Sequence, residues 1–121
     1  MRQEEKDLLI VDLCGRLPYG LKVYYKTAGW EDKNYTLSPQ VIDNFLIRRD
    51  VNVKPYLRPI SSMTDEEEQE YSFILNDGGW GITKDLITDC IDWLNAHHFD
   101  YRGLIEKGLA IEVTKENNPY L

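Results

Sequence analysis

The chain is poor in cysteine, in cationic charge and in long apolar runs, and each shortage excludes something. Its only thiols are Cys14 and Cys90. Two thiols cannot build a disulfide framework, and no Cys-x-x-Cys spacing offers a zinc or redox site. Each lies within a helix-like apolar stripe, where a free thiol acts as a small hydrophobe, so a reducing compartment is the simpler expectation. The first apolar run, Leu8–Val11, is too short for a signal-peptide core, and no later stretch approaches a membrane span. The expected location is cytoplasmic, without membrane contact. Lys and Arg number 14 against 21 Asp and Glu, a net charge of −7 with a pI near 4.8. That balance opposes general binding to phosphate backbones, although a local patch can escape it. No repeat or low-complexity segment is present, and nothing in the sequence asks for a cofactor.

What the chain does have is enough apolar material for one core. Hydrophobic residues make up 42% and aromatics 12%, with eight Tyr against three Phe and three Trp. This composition is globular, and 121 residues suit a single domain over 1–121. Tyr carries a polar tip, which suits both a shallow core and a partner-binding face.

Residues 3–16 have Leu9, Ile10, Leu13, Cys14 and Leu17 at helical spacing, acidic residues in the first turn, and Gly15 and Pro18 as stops. Leu21, Val23 and Tyr25 then alternate with Lys22, Tyr24 and Lys26, as in a half-buried strand; the turn-rich TAGWEDKN and a following YTL suggest a hairpin. Ser38 and Pro39 suit the start of a short helix carrying Val41, Ile42, Phe45 and Leu46, although the neighbourhood also admits a strand. Pro55 and Pro59 predict an extended, irregular passage over 54–62. Thr64 with Glu67 forms a capping box, acidic residues fill the first turn after it, and Tyr71, Ile74 and Leu75 form the buried face. NDGGWG reads as a loop, and Thr83 caps a helix bearing Leu86, Ile87, Cys90, Ile91 and Leu94. LIEKG reads as one helical turn, LAIEV as a returning strand, and 115–121 as a frayed tail. The sum is a single compact α+β domain, about four helices with a small, mostly antiparallel sheet.

Three sets of residues could carry chemistry. His97 and His98 fall at a helix end beside Asp100, a combination that could ligate a metal for hydrolysis. Adjacent histidines point apart on a helix, however, so capping and packing are the better reading. Arg48, Arg49, Lys54 and Arg58, with Tyr56 between them, form the one basic patch that could clamp a nucleic-acid strand. Tyr56, Arg58 and Trp80 are aromatic and Arg residues in Pro- or Gly-bounded segments, the types that anchor protein interfaces. Core packing explains them equally well. No nucleophile context or phosphate loop is recognisable: Ser61 and Ser62 lack a G-x-S-x-G frame, and no Lys-Ser/Thr pair follows NDGGWG.

The blocks DLLIVDLCGRLPYGLKV, KPYLRPISSMT and DWLNAHHFDYRGLIEKGLA resemble, in this order, a family of small uncharacterised proteins of Bacteroides-type gut bacteria and their phages or other mobile elements. The resemblance implies a bacterial cytoplasmic protein of prophage type and carries over no catalytic or binding residue. The leading expectation is a non-enzymatic protein-interaction module with an unknown protein partner. The alternatives are a nucleic-acid accessory protein using the 48–58 patch and a small metal-dependent hydrolase at His97, His98 and Asp100.

Overall fold

A computed structural model describes residues 2–27, 33–48, 50–76 and 84–120. Helix α1 (Gln3–Arg16) is followed by a hairpin, β1 (Lys22–Lys26) and β2 (Lys33–Thr36), then α2 (Pro39–Ile47) and β3 (Asn52–Leu57). Helices α3 (Asp65–Asn76) and α4 (Lys84–Ala96) come next, and a two-residue strand β4 (Ile111–Glu112) closes the sheet. The strand order is β2-β1-β3-β4, with two antiparallel pairings and one parallel pairing, β3 with β4. This is the single compact α+β domain expected, with four α-helices among the described residues and a mostly antiparallel sheet.

The hairpin and α2 follow local chemistry. Val23 faces Tyr35 on β2 and Pro55 on β3, and Tyr25 faces Val53, so alternate residues of β1 lie on the core face. At α2, the Ser38 hydroxyl accepts the Val41 N–H and Pro39 occupies the first turn, which resolves that stretch as helix. Ile42 and Phe45 then pack with Leu9 and Leu13 of α1 against Val23, Val53 and Leu57.

Helix α1 spans the expected residues but turns a different face inward. Its buried positions are Leu9, Asp12, Leu13 and Arg16, while Cys14 is exposed. Asp12 and Arg16 are wholly buried yet matched: Arg16 Nε donates to Asp12 Oδ2 at 2.8 Å, and Arg16 Nη2 donates to the Phe99 carbonyl at 2.7 Å. Arg102 Nε completes the carboxylate at 3.1 Å. Charges one turn apart can neutralise each other inside, so this helix buries a polar stripe that an apolar pattern does not reveal.

The passage over 54–62 departs most from expectation. Despite Pro55, residues 52–57 form one of the two inner strands of the sheet. The proline is tolerated because β4 begins opposite Tyr56, leaving no ladder on that side at Pro55 for a missing N–H to interrupt. Pro59 does end the strand, opening a 3₁₀ turn at Ile60–Ser62.

Thr64 and Glu67 form the predicted capping box, Glu67 N–H to the Thr64 hydroxyl at 3.2 Å and Thr64 N–H to Glu67 Oε1 at 3.0 Å. A second cluster, Trp93, Leu94 and Phe99 with Met63, Tyr71 and Ile74, joins α3 to α4, and Trp93 Nε1 donates to Glu70 at 3.0 Å. Leu75, expected to be buried, is 43% exposed. NDGGWG and the Thr83 cap lie outside the described residues. LIEKG forms successive turns rather than helix: Asp100 accepts the N–H groups of Leu104 (2.9 Å) and Ile105 (3.0 Å), and the turn closes with the Gly108 N–H on the Ile105 carbonyl and the Leu109 N–H on the Leu104 carbonyl. The tail is also anchored rather than frayed: Tyr120 is half-buried, and its hydroxyl joins the sheet as described next.

Candidate functional site

At the end of α4 the chain turns through His98, whose φ of 62° is the left-handed conformation that ends helices. Phe99 N–H returns to the Leu94 carbonyl at 3.0 Å, and the released strand lies beside the end of β3. There Arg58 N–H donates to the His98 carbonyl and Asp100 N–H to the Arg58 carbonyl, both at 2.8 Å. This pairing brings Arg58, from one sequence motif, beside the two histidines of another.

The histidines diverge. The His97 ring packs on Trp93 at 4.2 Å between centroids and sets Nδ1 3.3 Å from Glu67 Oε2. His98 turns the other way and stacks on Tyr120 at 4.1 Å, nearly parallel at 10°. Glu67 is the centre of the first arm. It caps α3, accepts Arg58 Nη1 at 2.8 Å and Nη2 at 2.7 Å, and the Arg58 guanidinium holds its carboxyl down at about 2. The same guanidinium lies over the Phe99 ring at 4.3 Å.

The second arm is a tyrosine built into the sheet. Tyr120 accepts the Lys22 N–H at 3.1 Å and donates to the Tyr56 carbonyl at 2.7 Å, so its hydroxyl bridges β1 and β3 just past their last ladder pair, Val23 with Pro55. Burial pushes the Tyr120 phenol up to about 12, so the hydroxyl keeps the proton it donates. Burial, reinforced by the charge of Arg16, pushes His98 down to about 4, and the imidazole is neutral at pH 7. His98 Nδ1 and Arg16 Nη1 are both buried without a hydrogen-bond partner among the described residues.

Between these arms opens a cleft of about 750 Å³, bounded by Arg58, Ser62, His97 and His98 on one side and by Val113, Thr114, Lys115, Asn118 and Tyr120 on the other. Its lining combines aromatic rings with a polar margin, a surface suited to binding.

The structure separates the other candidate residues. Tyr56 is 5% exposed, donates to Asn34 at 2.7 Å and serves the sheet, so it presents no anchor to a partner. Arg58 is a rim residue already bound to Glu67, and Trp80 lies outside the described residues. In the basic patch, Arg48 is paired with Asp50 at 3.0 Å, Arg49 lies outside the described residues, and Lys54 borders a different cleft. Arg48 and Arg58 are thus each paired with a carboxylate, and Lys54 and Arg58 border separate clefts. Nor do His97, His98 and Asp100 converge: both Asp100 oxygens accept backbone N–H groups, and among the described residues no group of three or more His, Cys, Asp or Glu is placed to hold a metal. Sequence reasoning missed Tyr120, Lys115 and Asn118. The one available signal was Tyr120 itself, a large aromatic at the end of a polar tail.

Compared with known proteins, the chain matches no family model, no curated protein and no solved structure.

Proposed function

We propose that the protein is a non-enzymatic interaction module, and that the cleft between the end of α4 and the C-terminal tail holds a short segment of a partner protein. The observation that carries this reading is the prior commitment of the cleft's ionisable groups. Arg58 and His97 are held by Glu67 behind them, Tyr120 is tied into the sheet, and His98 is neutral and stacked, which leaves Lys115. What remains is a preformed surface of rings edged by hydroxyl, amide and ammonium groups, which favours binding without a large ordering cost. A bacterial cytoplasmic setting, which the three-block resemblance implies, belongs to the same proposal.

The test is a pull-down with the tagged chain, with and without nuclease, comparing wild type with Thr114→Trp, which fills the cleft from an exposed position. A protein partner retained after nuclease by wild type and lost by the variant supports the reading. A partner held equally by both proteins, or recovery that disappears with nuclease, overturns it.

A further inference from the structure

Strand β4 pairs with Tyr56 and Leu57, so among the described residues the first half of β3 has no strand beside it on that edge. A cleft of about 560 Å³ lies there, between the first turns of α1, Phe45 of α2 and the turn at Lys107–Gly108. Lys6, Lys54 and Lys107 border it, brought together from three distant parts of the chain. None of the three has a carboxylate partner among the described residues, although the chain holds 21 acidic residues against 14 basic ones. The contrast with the arginines is clear, since Arg16 and Arg102 share Asp12, Arg48 takes Asp50 and Arg58 takes Glu67. The carboxylate at this cleft is Glu5, which accepts the Arg2 N–H at 3.1 Å at the start of α1. Lys6 Nζ lies 5.1 Å from the centre of the Phe45 ring, which places its ammonium at the cleft wall.

We propose that this cleft is an anion site for a small phosphate-bearing ligand. Three lysines are three separate point charges with rotatable donors, and they suit a group with several oxygens and nearly two negative charges better than a single carboxylate. Val51 and Leu109 add an apolar wall for the body of such a molecule. A nucleic-acid strand offers the same phosphate chemistry, but the net charge of −7 repels a long polyanion far more than a compact ligand. The inference is independent of the partner cleft proposed above.

The experiment is calorimetric titration of the whole chain with pyrophosphate and, separately, with a short single-stranded oligonucleotide. The expected result is pyrophosphate binding at one site that weakens as salt is raised, and roughly tenfold weaker binding in Lys54→Gln and Lys107→Gln. Lys22→Gln, where the ammonium lost is one that donates to Thr36, leaves the affinity unchanged. Absence of pyrophosphate binding overturns the proposal. Equal affinity in wild type and both cleft variants marks an adventitious ion only and also overturns it. Tighter binding of the oligonucleotide, lost in the same variants, replaces the small ligand with a strand and overturns that part of the assignment.

Discussion

Replacing Tyr120 with Phe removes one oxygen atom and tests whether the C-terminal tail holds the sheet together. The hydroxyl makes two hydrogen bonds, from Lys22 N–H at 3.1 Å and to the Tyr56 carbonyl at 2.7 Å, and the ring that stacks on His98 is retained in Phe. At about 1 kcal/mol net for each bond, with two backbone groups left without partners, the expected loss is about 2 kcal/mol. For a domain of this size that corresponds to roughly 8 °C in Tm. A pH signature accompanies it. The Tyr120 phenol titrates at about 12 in the fold against an ordinary 10.0, so its contribution is complete below pH 10 and is lost as pH rises through 12. A difference of that size corresponds to about 2.7 kcal/mol, taken as an order of magnitude. Urea unfolding of wild type and Tyr120→Phe at a series of pH values measures both effects. The gap between the two proteins is expected to be largest near neutrality and to close between pH 10 and 12. A variant within about 0.5 kcal/mol of wild type at pH 7, with a gap independent of pH, would show that β1 and β3 close directly and that the bridge is dispensable.

Asp12→Ala leaves the guanidinium of Arg16 buried without its carboxylate, and is expected to cost about 3–5 kcal/mol; Asp12→Leu combined with Arg16→Met is expected to recover most of it, as read by chemical denaturation. Glu67→Gln removes a carboxylate whose pKa is held at about 2 by Arg58, a stabilisation present above pH 4.5 and lost as pH falls through 2. The variant is therefore expected to be less stable at pH 7 and to lack that loss, and equal stability at pH 7 would show the pair to be idle. His98, held near 4 against an ordinary 6.5, makes the fold lose stability as pH drops from 6.5 to 4. His98→Phe, which keeps a ring against Tyr120, is expected to flatten that part of the acid limb in a thermal melt series, and an unchanged limb refutes the assignment.

Much of the secondary structure was legible because its causes are local. The Ser38-Pro39 start of α2 and the Thr64–Glu67 box at α3 act over three or four residues, and both appear as read. The alternation through Val23 and Tyr25 likewise reports one sheet face directly. Pro55 misled because the effect of a proline depends on which neighbour its missing N–H would have met, and β4, which arrives from 56 residues away, begins just past it. Cys14 and Leu75 were placed inside by periodicity, yet both are exposed; at Cys14 the reason is that an apolar pattern does not say which side a helix turns when a matched ion pair, here Asp12 with Arg16, competes for the interior.

The candidate clefts were less legible. Arg58, His97 and His98 were each noticed, but as members of different chemistries. The bridge between Arg58 and Phe99 sets them side by side, and the hydrogen bonds of Glu67 and Asp100 decide what they are free to do. The partner of His98, Tyr120, lies in a segment with no periodicity to mark it. By itself, the sequence determined the class of fold, the starts of α2 and α3 and the hairpin, because caps, alternation and composition act on near neighbours. Only the tertiary structure decided that Arg16 and Asp12 belong inside, that Tyr120 joins β1 to β3, and that three distant lysines face one cleft, because burial and charge pairing depend on which distant residue arrives to complete them.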